Sequence, residues 1–127
     1  MCNVFDHILA LKMAKQLQFA IHKAHRCEYQ REYLHLIVNT MISNAEIILT
    51  LLADDCEHHS EYAHNRAYQH AGSVKEALEE YASTGYQKSL NDGNEKPIDV
   101  CVVAIDGVVC ELSDPEDRLE EVEREYA

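Results

Sequence analysis

The chain has neither glycine nor proline before Gly72, so 71 consecutive residues lack the two strongest interrupters of regular secondary structure. Such a run favours long helices, because glycine and proline are the residues that helix interiors tolerate least. Apolar residues within it recur every three to four positions, which is the spacing of one helical face. We therefore expect residues 1–82 to form an antiparallel bundle of about three helices.

Three helices are predicted in this bundle. The first begins near Asn3, a residue type that caps helices, and its apolar stripe comprises Phe5, Leu9, Met13, Leu17, Ala20 and Ala24. The stripe thins between His22 and Glu32, which fits either a turn or one continuous exposed helix. The second helix runs from about Tyr29 to Leu52, and its wide apolar arc predicts a central position. The third covers about Glu57 to Tyr81.

The hydrophobic pattern changes after a polar connector at residues 83–98. Two runs rich in valine flank Asp106-Gly107, and an Asp-Gly pair between β-branched runs is a strong signal for a two-residue hairpin. A β-hairpin is therefore predicted at residues 99–113. The segment 114–127 begins with Asp114 and Pro115, as helices often do, and is predicted to form a short acidic helix. The expected fold is a single mainly α domain of the α+β class.

The predicted hairpin has two apolar faces. A two-residue turn places Cys101, Val103, Ile105, Val108, Cys110 and Leu112 on one face. The other face then carries Val100, Val102 and Val109. One face can pack on the helices, but the second needs cover, because an exposed apolar edge recruits further strands. We expect a homo-oligomer in which these three valines form the interface.

Composition limits the classes of function. The 127 residues are 46% hydrophobic and 27% charged, as expected of one folded domain, and the net charge is −12. Residues 1–53 carry a net charge of +1, so the remaining 74 residues carry −13. Such a surface repels phosphate, which argues against direct binding of nucleic acid or anionic membrane. The sequence shows no pattern of a membrane span or signal peptide, and its five scattered cysteines suggest reduced thiols, so we expect a cytoplasmic protein.

Two Glu-x-x-His patterns offer an alternative as metal ligands. Glu32 with His35, and Glu61 with His64, would each place a carboxylate and an imidazole one turn apart on a helix. Helical di-metal proteins use two such pairs with further glutamates, so this alternative predicts bound iron, manganese or zinc. The first helix contributes no glutamate, and a complete site would need a dimer.

Catalytic motifs are not evident, and we expect neither enzymatic activity nor a cofactor. The sequence has no Gly-x-Ser-x-Gly nucleophile elbow and no glycine-rich phosphate loop. Residues 111–127 contain eight acidic residues and two arginines, which on a helix would present a row of negative charge. The residues predicted to contact a partner are Glu111, Asp114, Glu116, Asp117, Glu120, Glu121 and Glu125.

The expected function is that of a small non-catalytic interaction or inhibitor protein that binds a basic protein surface. Small acidic helical proteins of this kind are common among virus-encoded inhibitors, so a host-defence or nucleic-acid-handling protein is the expected partner. A helical di-metal protein is one alternative. A structural self-assembly subunit, in which the apolar hairpin serves only for self-association, is another.

Overall fold

The computed structural model of the protein describes residues 4–53, 61–90 and 92–113, and these residues form helices and connections. The α-helices are α1 (Val4–His25), α2 (Leu34–Leu52), α3 (Glu61–Ser83) and α4 (Pro97–Leu112). A short 3-10 helix, Arg31–Tyr33, leads directly into α2. The first and second helices are therefore separate, with a turn between His25 and Arg31.

The four helices pack in a closed ring. Each helix contacts the next in the chain, and α4 returns to contact α1. The fourth helix is antiparallel to both of its neighbours: His7 near the start of α1 lies beside Leu112 at the end of α4, and Arg66 early in α3 lies beside Glu111 late in α4. The fourth helix thus fills the place between α1 and α3.

The core is lined by one face of each helix. The buried residues of α2 recur every three to four positions, as an amphipathic helix requires: Leu34, Val38, Met41, Ala45, Ile48 and Leu52. Those of α1 are Ala10, Ala14, Leu17, Ile21 and Ala24. The predicted stripe of α1 was wrong in its first half, because Phe5 is 76% exposed and Leu9 is 47% exposed. Alanines face the core there instead, and small side chains let helices approach closely.

The predicted β-hairpin at residues 99–113 is wrong, and no strand occurs in the parts of the chain that the structure describes. Residues 97–112 form α4, which passes straight through Asp106-Gly107. Its buried residues follow the helical period: Ile98, Cys101, Ala104, Ile105, Val108 and Leu112. Burial on two neighbouring helices outweighs the preference of β-branched residues for strands, because propensity is a weak prior against tertiary packing.

Gly107 has a packing role in α4 rather than a turn role. A Cβ atom built at Gly107 would lie 2.9 Å from Cδ2 of His70 on α3. This distance is shorter than carbon atoms tolerate, so glycine is what allows the His70 ring to lie against the α4 backbone. The Asp-Gly pair therefore marks a close crossing of two helices.

The apolar faces assigned to the hairpin do not exist as predicted. Val103, which was assigned to the packed face, is 66% exposed. Val100, Val102 and Val109 are partly buried and pack against the core of their own chain. The predicted self-association through these three valines required an exposed strand face, and α4 has none.

The segment Arg31–Leu52 is long and apolar enough to cross a membrane by length and hydropathy alone. In the structure it is a member of the bundle, with Val38, Met41 and Ile48 buried in the core. The predicted acidic helix at residues 114–127 lies outside the described residues.

Candidate functional site

Glu111 is the one predicted partner-binding residue that lies in the described part of the chain. Arg66 Nε donates a hydrogen bond to Glu111 Oε1 at 3.2 Å, so this carboxylate is already paired within the molecule. The other six predicted contact residues, Asp114, Glu116, Asp117, Glu120, Glu121 and Glu125, lie outside the described residues.

A second group of acidic side chains lies on the C-terminal half of α3. Lys75 Nζ is 3.8 Å from Glu46 Oε1 and 3.7 Å from Glu79 Oε1, so one cation serves two carboxylates. Glu76 and Glu80 are exposed and form no ion pair with any residue that the structure describes. We call Glu76, Glu79 and Glu80 the α3 acidic surface. Sequence reasoning did not assign it to partner binding, because charge was judged by the denser run after Glu111.

The two Glu-x-x-His pairs lie at opposite ends of α2. Glu32 and His35 are exposed where α2 begins. His64 is only 2% exposed, and its Nε2 donates to the carbonyl oxygen of Leu52 at 3.0 Å, where α2 ends. Seventeen residues of helix separate His35 from Leu52, which corresponds to about 25 Å. Within the described ranges, no group of three or more His, Cys, Asp or Glu side chains is placed to hold a metal ion.

Histidines of α1 contact α4 at several points that sequence reasoning missed. His22 Nε2 lies 2.7 Å from Asp106 Oδ1, which also accepts a hydrogen bond from Gln18 Nε2 at 2.9 Å. His25 Nε2 lies 2.9 Å from Asp99 Oδ1. The signal was a shared spacing: Asp99 and Asp106 are seven residues apart, as are Gln18 and His25, and seven residues make two helical turns. This spacing predicts the two contacts only when residues 97–112 are recognised as a helix.

Asp99 is the most highly connected of these carboxylates. Besides the contact with His25, it accepts hydrogen bonds from Ser89 Oγ at 2.6 Å and from the backbone N–H of Lys96 at 2.9 Å. Burial on its own would raise the pKa of Asp99, but the hydrogen bonds from Ser89, Lys96 and His25 together lower it below the usual value. The carboxylate thereby fixes the connector, the start of α4 and the end of α1 to one another.

A cavity of about 170 Å³ opens at the end of the bundle where α1 and α3 terminate. Its lining consists of three tyrosines, two cations, one thiol and two apolar side chains: Tyr29, Tyr81, Tyr86, Arg31, Lys88, Cys27, Ala24 and Leu34. We call this cavity the tyrosine pocket. It was not anticipated, because its residues come from two turns and from the ends of α1, α2 and α3, which are distant in the sequence.

Both helices that border the tyrosine pocket end in a Schellman motif. In α1, the N–H of Glu28 bonds to Lys23 O at 3.1 Å and the N–H of Cys27 bonds to Ala24 O at 3.0 Å. In α3, the N–H of Tyr86 bonds to Tyr81 O at 2.9 Å, with Gly85 in the left-handed conformation. Cys27 (φ 58°) and Tyr86 (φ 61°) also have positive φ, and both line the pocket.

The aromatic rings of the tyrosine pocket are held in place by neighbouring side chains. Tyr81 and Tyr86 form an edge-to-face pair with ring centroids 5.5 Å apart. Lys23 Nζ lies 4.9 Å from the centroid of the Tyr29 ring, a cation–π distance. Tyr81 is 3% exposed, and burial raises the pKa of its phenol. Its hydroxyl forms no hydrogen bond with any side chain or backbone group in the described ranges.

Comparison with known proteins assigns no relative to this chain. No protein-family model matches it, and neither a curated protein nor a solved structure shows significant similarity to it. Any functional conclusion therefore depends on the geometry and charge described above.

Proposed function

We propose that the chain is a non-catalytic interaction protein whose acidic surface binds a basic surface of another protein. The observation that carries this proposal is the α3 acidic surface, where only Glu79 of the three exposed carboxylates pairs with a cation, Lys75, which it shares with Glu46. Two other cations near the ends of α4 are already engaged, since Arg66 pairs with Glu111 and Lys96 with Asp92. The negative charge of the α3 acidic surface is therefore only partly neutralised, by Lys75.

The helical setting supports specific recognition. Carboxylates on a packed helix keep fixed spacings, so a partner does not have to order them when it binds. A net charge of −12 also attracts a basic partner from a distance and accelerates association at low salt. Proteins that handle nucleic acid carry basic surfaces for phosphate, and we propose a protein of that kind, or a defence protein built on one, as the partner.

The test is capture of partners from a lysate of the organism that encodes the chain, at about 50 and 500 mM salt, with three versions of the bait. One version is unchanged, one carries Glu76→Gln, Glu79→Gln and Glu80→Gln, and one carries Glu120→Gln, Glu121→Gln and Glu125→Gln. The two triple variants have the same net charge, so each is the control for the other.

We expect a basic protein to be retained at low salt, lost at high salt, and lost from the α3 variant at low salt. If only the terminal variant loses the partner, the contact lies after residue 113 rather than on α3. If both variants retain it at both salt concentrations, acidic recognition is wrong as the function of this chain.

A further inference from the structure

We propose that the tyrosine pocket binds a small aromatic carboxylate, with one ring among the tyrosines and the carboxylate held by Arg31 and Lys88. This inference concerns a different part of the molecule from the α3 acidic surface and does not depend on the proposed function.

The charge of the tyrosine pocket is opposite to that of the whole protein. Arg31 and Lys88 are its only charged lining residues, although the chain carries 23 acidic residues and 11 basic ones. The C-termini of α1 and α3 meet the N-termini of α2 and α4 at this end of the bundle, so the helix dipoles oppose one another. The two charged groups that line the cavity itself are both positive, which favours an anion, while the carboxylate of Glu28 lies beside Tyr29 outside the lining.

Arg31 is already oriented for such a role. One Nη2 hydrogen bond to the carbonyl oxygen of Gly85, at 3.0 Å, fixes the guanidinium between the two turns. A guanidinium has five N–H donors, so others stay available for a carboxylate. Because the anchor is a backbone carbonyl, the positive charge of Arg31 is not neutralised.

Tyr81 supplies a polar group that the protein itself leaves unused. The residue is only 3% exposed and lines the pocket, and its hydroxyl, which forms no hydrogen bond with another described residue, is left to the contents of the cavity. The raised pKa keeps this phenol protonated at neutral pH, so it would donate to an oxygen of the ligand.

The size of the tyrosine pocket sets the size of the ligand. An apolar protein cavity of about 150 Å³ accommodates one benzene molecule, so about 170 Å³ suits one ring with a small substituent. Tyrosine rings offer both faces and edges to such a ring, and aromatic pairs gain attraction beyond the area that they bury. A free phosphate or acetate would satisfy the cations but would leave the aromatic lining without a partner.

The shape of the tyrosine pocket is fixed before any ligand arrives. Cys27 and Tyr86 have a backbone conformation that non-glycine residues rarely adopt, and the Schellman hydrogen bonds hold them in it. Non-glycine residues with positive φ concentrate at ligand sites, and here both of those in the described ranges line one cavity. A preformed pocket reduces the entropy that binding would otherwise lose.

The test is calorimetric titration of the intact chain with benzoate. We expect one molecule of benzoate to bind per chain, with affinity reduced about tenfold by Arg31→Gln and by Lys88→Gln, as for loss of one charge-assisted hydrogen bond. Arg31→Lys should retain more affinity than Arg31→Gln, and Tyr81→Phe, which removes only the hydroxyl, should weaken binding about threefold. Lys12→Gln, an exposed cation outside the pocket lining, is the matched control and should bind as the unchanged chain does.

The ligand chemistry is tested with close analogues. Benzyl alcohol lacks the charge, benzylamine reverses it, and inorganic phosphate lacks the ring, so each should bind at least tenfold more weakly than benzoate. If benzylamine binds as well as benzoate, the proposed role of the cations is wrong. If phosphate binds as well, the site is a general anion site and the proposed role of the ring is wrong.

The location is tested through the thiol in the pocket lining. Benzoate at saturation should slow alkylation of Cys27 at least fivefold, measured peptide by peptide, without slowing that of Cys110, an exposed thiol on α4. Cys101 is the internal control that should not be alkylated, because burial raises the pKa of its thiol to about 12. No benzoate binding up to about 10 mM, which corresponds to very weak affinity, or binding without protection of Cys27, would overturn the proposal.

Discussion

Single side chains join segments of this protein that are distant in the sequence. Asp99 links three of them through His25 of α1, Ser89 of the connector and the backbone N–H of Lys96. His64 of α3 does the same for α2 by donating to the terminal carbonyl of Leu52. Each buried polar group that gains a partner avoids a desolvation penalty, so these few residues determine how the helix ends meet.

Asp99→Asn should lower the free energy of unfolding by about 1–2 kcal/mol at pH 7, because an amide replaces a carboxylate that accepts several hydrogen bonds. The pKa of Asp99 is lower in the folded chain than in the unfolded chain. Its contribution is therefore complete above the unfolded pKa of about 3.9 and is lost as pH falls through the folded pKa.

Urea unfolding at pH 7 and pH 3 should show the difference between the two proteins shrinking in acid. Glu95→Gln, an exposed change on the same connector, should be neutral at both values and is the control. An equal deficit at pH 3 and pH 7 would mean that the charge of Asp99 does not contribute.

At the scale of the element, α4 shows how one pattern is compatible with two structures. Valine-rich runs on either side of Asp106-Gly107 fit the period of a strand, and the same residues fit the period of a helix, because Ile98, Cys101, Ile105, Val108 and Leu112 also share a helical face. What distinguishes the two structures is the burial of α4 against α1 and α3, of which the contact at Gly107 is one part. His70 packs against this glycine from α3, and no local pattern contains that information.

Gly107→Ala should lower the stability of the protein by about 1 kcal/mol, because overpacking against His70 exceeds the gain in helix propensity. In a His70→Ala background the same substitution should raise stability by about 1 kcal/mol, because only the propensity gain is left. Thermal or urea unfolding of the four proteins forms a double-mutant cycle. Additive effects would show that the two positions are not in contact, contrary to the structure.

The sequence was sufficient for the elements whose period is unambiguous. The buried residues of α2 and α3 recur at helical spacing over many turns, and Pro97 with Asp99 marked a helix start that the hairpin prediction ignored. The tyrosine pocket could not be predicted from the sequence, because Tyr29 and Tyr86 come together only after α1, α2 and α3 have packed. The α3 acidic surface could have been recognised from Glu76, Glu79 and Glu80 alone.

At the scale of the whole molecule, charge opposes compaction. The chain carries a net charge of −12, and the ion pairs in the described ranges are largely exposed, so each contributes little to stability. We expect repulsion among the remaining carboxylates to outweigh attraction at low ionic strength.

Raising sodium chloride from about 20 to 500 mM should increase the free energy of unfolding by about 1 kcal/mol, because screening weakens net repulsion more than it weakens a few surface pairs. Equilibrium unfolding in urea, which is uncharged, measures the effect at both concentrations. The variant with Glu76→Gln, Glu79→Gln and Glu80→Gln should gain less from salt. A loss of stability on adding salt would show instead that attractive pairs dominate.

The closed ring of helices has a consequence for biosynthesis. α4 occupies the place between α1 and α3, and His7 contacts the carbonyl of Leu112 across 105 positions of sequence. During synthesis, the first three helices leave the ribosome before α4 does. They therefore expose an apolar groove between α1 and α3, which stays uncovered until Leu112 emerges. Truncation or stalling within α4 would leave that apolar groove uncovered and make the fragment a target for chaperones and proteases.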